Sequence, residues 1–404
     1  MERAISLLGL LSFIAISYAC SNNRRAINWT TVTWGIGLQF LLALFILKTP
    51  LGLTLFQWLG SCAEQFLNYA DAGAAFVFGD NFRDHFFAFK VIPTIIFFSS
   101  CISLLYHYNI LPRVIQALAW VMQRTMKTSG PESVTAATNI FVGQSAAPLV
   151  IKPYLPTITN SELHAVMTTG FATIAGGVLA AYISFGIAAE HLIAASVMSA
   201  PASLAIAKLF YPETEPSATR KELELVRDRG YVNAIDAAVN GAIEGMKLSL
   251  NVVAMLVAFL SLLALINGIL GWVGGYLGLP QLSLEWLLSY LMAPLAWLTG
   301  VSWADCPEIA ILLGKKTILN EFIAYSDLKE LLAQPGPPIS RRTTIIATYA
   351  LCGFANIGSI AVQIGSISAI APSRQQDLAK LGVRAMIAGA ISCFVNACTA
   401  GMLL

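Results

Sequence analysis

Eight apolar runs, each close to the length that spans a hydrocarbon core, decide most of what this chain can become. They cover residues 4–20, 29–49, 88–108, 160–189, 192–210, 249–273, 345–370 and 381–403. About 20 apolar residues in a helix cross a bilayer core of roughly 30 Å. In lipid only helices and closed barrels satisfy their own backbone. Charged residues fill 11% of the 404 positions, about half the share of a soluble domain. The sequence therefore reads as an all-α polytopic membrane protein with eight transmembrane helices, and its surroundings as membrane lipid. A net charge of +2 leaves no electrostatic footprint for nucleic acid.

Residues 5–19 are apolar and run into SYAC, which looks like a lipoprotein cleavage box. A signal peptide carries its positive charge in front of the apolar region. Here Glu2 nearly cancels Arg3, and SNNRR follows the run. The positive-inside bias places Arg24 and Arg25 in the cytoplasm, so a retained first span is expected. Arg341 and Arg342 fall on the outer side of this topology, against the bias; the basic loops at SNNRR, 111–128 and 372–380 outweigh them. The seven cysteines are scattered without a CxxC pair, and the four histidines lie far apart. Neither set has metal-ligand spacing.

Other pieces are apolar without reading as plain spans. Residues 56–80 mix Glu64, Asp71 and Asp80 with aromatics, as an interfacial helix does. Residues 111–128 set Arg113, Arg124 and Lys127 against Leu, Val and Met at helical spacing, a second surface-lying helix. Residues 282–300 fit a crossing helix or, with Glu285 and Pro294, a surface helix equally well. Residues 211–236 are dense in both signs of charge and read as a cytoplasmic linker. On either side of that linker the same order recurs: span, lateral helix, broken polar segment, two spans. An odd number of crossings between the halves gives inverted repeats. Interrupted segments at matching places in such repeats point to a binding site near the midplane.

The first interrupted segment is NIFVGQSAAPLVIKPYL, 139–155. It lies within 131–158, which is too short to cross twice and too broken, at Gly143–Ser145, Pro153 and Pro156, to cross once. Non-helical backbone at membrane depth survives only inside protein or beside a wet cavity. A re-entrant hairpin fits; a kinked helix whose polar groups satisfy one another is the competing reading. The second hairpin, 302–330, holds Asn320 and Glu321 among Ile318, Leu319, Phe322 and Ile323. An acid in such company costs about 2.5–3.5 kcal/mol even on the gentler insertion scale and marks a functional site by default. Its competing role is an ion pair with Lys315 or Lys316. A carboxylate is a natural acceptor for two adjacent hydroxyls. In ATYALCGFANIGSIAVQIGS, 347–366, Asn356 and Ser359 share one face if the turn is helical, although small residues there also serve helix packing. TGFATIAGGVLAAY, 169–182, holds the corresponding place in the first half, with Thr173 and a break at Gly176–Gly177. No phosphate-cradling loop, HExxH or GxSxG is present. A membrane enzyme acting through Ser145 or Glu321 is the rival class.

Five motifs carry a resemblance: NIFVGQSAAPLVIKPYL, GFATIAGGVLAAY, KTILNEFIAYSDL, ATYALCGFANIGSIAV and APSRQQDLAKLGVRAMIAG. In these the sequence resembles the concentrative nucleoside transporter family over nearly its whole length, beginning as the bacterial eight-span members do. The resemblance implies a multi-pass homotrimer in the plasma membrane, a bacterial inner membrane, with mobile transport domains that move like elevators. It implies nucleoside import driven by a sodium gradient, or a proton gradient in some bacterial members, and no other cofactor. Carried over residue by residue, Gln144 and Ser145 would face the base, with Val178 and Phe354 packing around it. Glu321, Asn356 and Ser359 would bind the ribose. The side chains of Asn139 and Thr173 and the carbonyls of Val142 and Ile174 would hold sodium; proton-coupled members tend to lack the asparagine. The family frame divides the chain into scaffold (1–110), a first transport half (111–210), the linker with an amphipathic segment (211–248), scaffold (249–300) and a second transport half (301–404). One departure stands out. Family members usually read GQ(S/T)E at the first tip, and here Ala146 replaces the glutamate. Weak binding, a different base or ligand, or altered coupling each follow from that loss.

Overall fold

The computed structural model describes residues 2–85, 87–217, 219, 231–336 and 339–404, the side chains of 84 and 85 excepted. Positions 218 and 220–230, nearly half of the charged linker, lie outside the described residues. Those that are described form helices and turns, without strand. The first half comprises α1 (Glu2–Ala19), α2 (Trp29–Lys48), α3 (Pro50–Asn68), α4 (Ala70–Phe78), α5 (Ile92–His107), α6 (Ile110–Met126), α7 (Gly130–Asn139), α8 (Asn160–Ala172), α9 (Gly176–Ser184) and α10 (Ala189–Phe210). The second comprises α11 (Ala234–Leu277), α12 (Leu284–Leu298), α13 (Cys306–Ile318), α14 (Glu321–Leu332), α15 (Arg341–Leu351), α16 (Ile357–Ile370) and α17 (Gln375–Leu403).

Seven of these segments among the described residues are long and apolar enough to cross a membrane. The expected span 345–370 is not one of them, because its backbone breaks at 352–356 into α15 and α16. The run 160–189 is likewise divided into α8 and α9, but at 173–175 rather than at the expected Gly176–Gly177, which open α9 as its first helical residues. The span expected at 249–273 sits inside α11, which already begins at Ala234 within the stretch given to the linker. Asn233 caps it there, its Oδ1 accepting from the Asp236 N–H at 2.9 Å. Gly241 and Gly245 then let α11 lie directly against Ser99, Ser100 and Ile96 of α5, the small-residue contact that membrane helices favour. α12 has 15 residues, about 22 Å of helix, shorter than the hydrocarbon core, and it packs along α13. α6 buries Leu111, Ile115, Ala119, Met122 and Met126, one stripe at helical spacing, against α7.

Each broken segment is two arms joined by a turn. The arms of the first are α7 and a 3₁₀ turn at Ala147–Ile151; those of the second are α13 and α14. The first hairpin is anchored at both ends by the same local device. Ser129 N donates to Glu132 Oε2 at 2.9 Å. Thr159 and Glu162 exchange two such bonds, at 2.8 and 3.1 Å. These are the capping contacts that an S/T-x-x-E pattern encodes. Around the hairpins, α8, α10 and α17 form the buried centre, rich in Ala, Ser and Gly. The outer face of α11 exposes Leu265, Ile269 and Trp272, an apolar surface suited to lipid or to a neighbouring subunit.

Candidate functional site

The two helix breaks meet. The Phe354 N–H, between α15 and α16, donates to the Thr173 carbonyl, between α8 and α9, at 3.2 Å. Each break thus satisfies part of the other's exposed backbone, which a membrane interior would otherwise penalise. The first hairpin tip leans on the same place. Gly143 has φ +87°, and a Cβ there would stand 2.5 Å from Ala175 Cβ, so only glycine permits both the turn and the approach. The Gly176 N–H donates to the Phe141 carbonyl at 3.0 Å, tying the tip to the start of α9.

The second tip presents the acid. Asn320 caps α14, its Oδ1 accepting from the Ile323 N–H at 2.9 Å, and this sets Glu321 on the first residue of the helix. There the carboxylate faces the positive end of the helix dipole, with 4% of its surface exposed. Asn356 Nδ2 donates to Glu321 Oε2 at 3.0 Å and Tyr182 OH donates to Oε1 at 3.1 Å. The lysines weighed against it are engaged elsewhere. Lys315 pairs with Asp327 at 2.7 Å, and Lys316 donates to the Ala350 carbonyl at 2.8 Å. No ion pair reaches Glu321 among the described residues. Each carboxylate oxygen holds one partner and retains acceptor capacity for another.

Asn356 has a second task. Its Oδ1 accepts from the Ser359 N–H at 2.8 Å and caps α16. Ser359, Gln363 and Ile367 form the buried face of that helix. Gln363 Nε2 donates to Gln144 Oε1 at 2.9 Å and to the Met167 carbonyl at 3.0 Å. Gly170 makes room, since a Cβ there would lie 2.8 Å from Gln363 Nε2 and 2.9 Å from Gln144 Cβ. The acid of one hairpin and the amide of the other are therefore both tied to one face of α16, about two turns or 10 Å apart along the axis.

A third feature lies at the end of α7. Asn139 is 1% exposed; its Nδ2 donates to Thr169 Oγ1 at 3.1 Å, while its Oδ1 is sealed from solvent without a partner. Thr173 Oγ1 donates to the Thr169 carbonyl at 2.9 Å, and Ile174 beside it is fully buried. A buried acceptor with no donor calls for an explanation. The described side-chain partner of Asn139 is the Thr169 hydroxyl, and oxygen ligands suit a hard cation.

Of the residues singled out in the sequence, the structure gathers Glu321, Asn356 and Ser359 directly, and Thr173 with Phe354. It places Asn139 and Gln144 on the first hairpin, with Val142 half-buried at its tip. Val178 is buried on α9, whereas Ser145 is exposed at the tip, and no described hydrogen bond joins the Ser145 side chain to Glu321. Tyr182, Gln363 and Thr169 were not picked out. Gln363 had a readable signal, a lone amide in AVQIG four residues after Ser359.

Broken helices crossing at a buried polar centre define the class of membrane transporter folds in which unwound backbone lines the binding region. Comparison with known proteins is more specific. Residues 8–81 match the Na+ dependent nucleoside transporter N-terminus, residues 88–189 the nucleoside recognition gate, and residues 191–401 the Na+ dependent nucleoside transporter C-terminus. The chain belongs to the Na+-dependent nucleoside transporter family. It is 49% identical to human solute carrier family 28 member 3, with all of this chain and 60% of that protein aligned. It is 46% identical to mouse sodium/nucleoside cotransporter 1, with all of this chain and 64% of that protein covered. The chain thus spans about 60% of the length of such curated relatives. These relatives are transporters, not enzymes. Among solved structures, CNTnw in an inward-facing substrate-bound state superposes with TM-score 0.95 at 40% identity, covering 100% of this chain and 98% of that one. A CNTnw variant in an outward-facing state gives TM-score 0.94 at 40% identity, covering 100% and 99%.

Proposed function

We propose that this protein is a plasma-membrane symporter that imports nucleosides with sodium as the co-transported ion. The observation that carries the reading is Glu321, held between Asn356 and Tyr182 with acceptor capacity left on both oxygens. The 2′- and 3′-hydroxyls of a ribose are adjacent donors, and a carboxylate accepts from both; Ser359, on the same helix face, adds a hydroxyl. Gln144 and Ser145 of the first tip face the base, with Val178 and Phe354 around it. Sodium is cargo here, taken by Asn139 Oδ1, Thr173 Oγ1 and the Val142 and Ile174 carbonyls. The orphaned Asn139 oxygen favours that ion over a proton. The hairpins with α6, α8 to α10 and α15 to α17 form the moving part of a homotrimer working by elevator-like alternating access, and the remaining helices form its frame. A bacterial inner membrane is the proposed location.

The test is uptake of radiolabelled uridine and adenosine into proteoliposomes, with sodium inside and out, a sodium gradient, or a pH gradient alone. Uptake driven by the sodium gradient is expected. No uptake of any nucleoside under any gradient overturns the reading, and uptake driven only by protons overturns the sodium assignment.

A further inference from the structure

The face of α16 that meets the first hairpin carries a side chain that the ribose and cation sites leave unused. Gln363 is 1% exposed. Both described hydrogen bonds of its amide come from Nε2, to Gln144 Oε1 and to the Met167 carbonyl. Its Oε1 is buried without a partner. An amide in an apolar helix face, half satisfied and sealed from water, is a standing cost to the fold unless a ligand completes it. The tip it touches reads GQSA, and Ala146 brings no polar atom to it.

We propose that Gln363 is a specificity-determining residue that reads the ligand's base as one half of a neutral amide pair with Gln144. The proposal rests on the nucleoside reading above and deepens it. In the pair, Gln363 Nε2 satisfies Gln144 Oε1. The groups left over are the Gln144 Nε2 donors and the Gln363 Oε1 acceptor, on two amides joined by that bond. That is a complement to a base edge on which an N–H stands next to a ring nitrogen or carbonyl, such as the 6-amino group and N1 of adenine or the 4-amino group and N3 of cytosine. A carboxylate at the tip would offer acceptors only. The amide pair offers one of each and holds no charge. Gly170 belongs to the device, because a Cβ there would crowd the Gln363 amide and the Gln144 Cβ.

The experiment is competition against tracer uridine uptake in proteoliposomes. Adenosine and cytidine are compared with purine riboside and 2-pyrimidinone riboside, which lack the exocyclic amine. In the unsubstituted protein each parent nucleoside should compete about tenfold better than its analogue, the scale of one buried hydrogen bond. Gln363→Leu should collapse that ratio toward one, mainly by weakening the parents. Gln363→Glu keeps an acceptor but loses the Nε2 donor that holds Gln144 Oε1 and the Met167 carbonyl, so it should lower the ratio as well. Melting curves of both variants in detergent establish that they are folded. A packing role for Gln363 predicts that parents and analogues weaken equally in both variants, and that result overturns the inference while leaving nucleoside transport standing. Absence of a ratio in the unsubstituted protein overturns it as well. No uptake of uridine by the unsubstituted protein removes the parent reading and this one together.

Discussion

Asn356 joins Glu321 to the start of α16: its Nδ2 donates to Glu321 Oε2 at 3.0 Å while its Oδ1 accepts from the Ser359 N–H at 2.8 Å. One side chain thus caps a helix and orients the acid that lies on another hairpin. Any movement of the second hairpin relative to α16 must break or carry this contact, so Glu321 and the helix break are mechanically coupled.

Glu321→Gln keeps the size of the side chain and removes its charge. A hydrogen bond to a charged group contributes about 1.5–3 kcal/mol, roughly ten- to a hundredfold in affinity. Nucleoside kcat/KM should fall by at least that factor, and the melting temperature should stay equal or rise, because an ionised acid is removed from a buried place. Tyr182→Phe should cost less, about 1 kcal/mol. Uptake by Glu321→Gln within twofold of the unsubstituted protein would remove the acid from the site.

Among the described residues Asn139 Oδ1 has no donor to satisfy it. If sodium is what completes it, raising sodium should stabilise the folded protein by mass action, by about 2.7 kcal/mol at a hundred times the dissociation constant. Melting curves in sodium should therefore lie above those in choline. Asn139→Ala should bring the two together and make uptake independent of the sodium gradient. A sodium-dependent shift that survives Asn139→Ala places the ion elsewhere.

Much of this organisation is legible in the sequence because its causes are local. Spans announce themselves by length and the first hairpin by its prolines and the Gly143–Ser145 break, while the caps at its ends, Ser129–Glu132 and Thr159–Glu162, are just as local but emerge only in the structure. The breaks at 173–175 and 352–356 follow from polar and glycine residues in otherwise apolar runs. The helix of 234–248 was hidden because its charges suit a linker as well as a helix surface, and only the close packing on α5 decides between them. The Gln144–Gln363 pair joins residues 219 apart, and no local pattern encodes that. Tyr182 reaches Glu321 across 139 residues and was hidden for the same reason.

Gly143→Ala tests the crossing of tip and break. The added methyl meets Ala175 at 2.5 Å, and φ +87° is strained for any other residue. Left-handed backbone costs roughly 1–2 kcal/mol and overpacking about 1–3 more. A fall in melting temperature of several degrees is expected, with sodium stabilisation reduced because Asn139 lies four residues away. An unchanged melting temperature means that the tip does not dock on the first break as described.

Ala146→Glu asks whether the missing carboxylate has been replaced. Ala146 lies two residues from Gln144 on the tip, and Gln363 already supplies a buried acceptor beside that amide. If Gln363 Oε1 stands in for that acid, a glutamate added to the unsubstituted protein supplies an acceptor that is already served, and adenosine uptake should change by less than about twofold. In Gln363→Leu the same place has lost its acceptor, and Ala146→Glu should then recover most of the roughly tenfold loss expected from one hydrogen bond. The interaction between the two substitutions is what the measurement reads, since neighbours that share a partner are non-additive. Equal gains from Ala146→Glu in both backgrounds would mean that the tip is merely impaired and that Gln363 does not stand in for its acid.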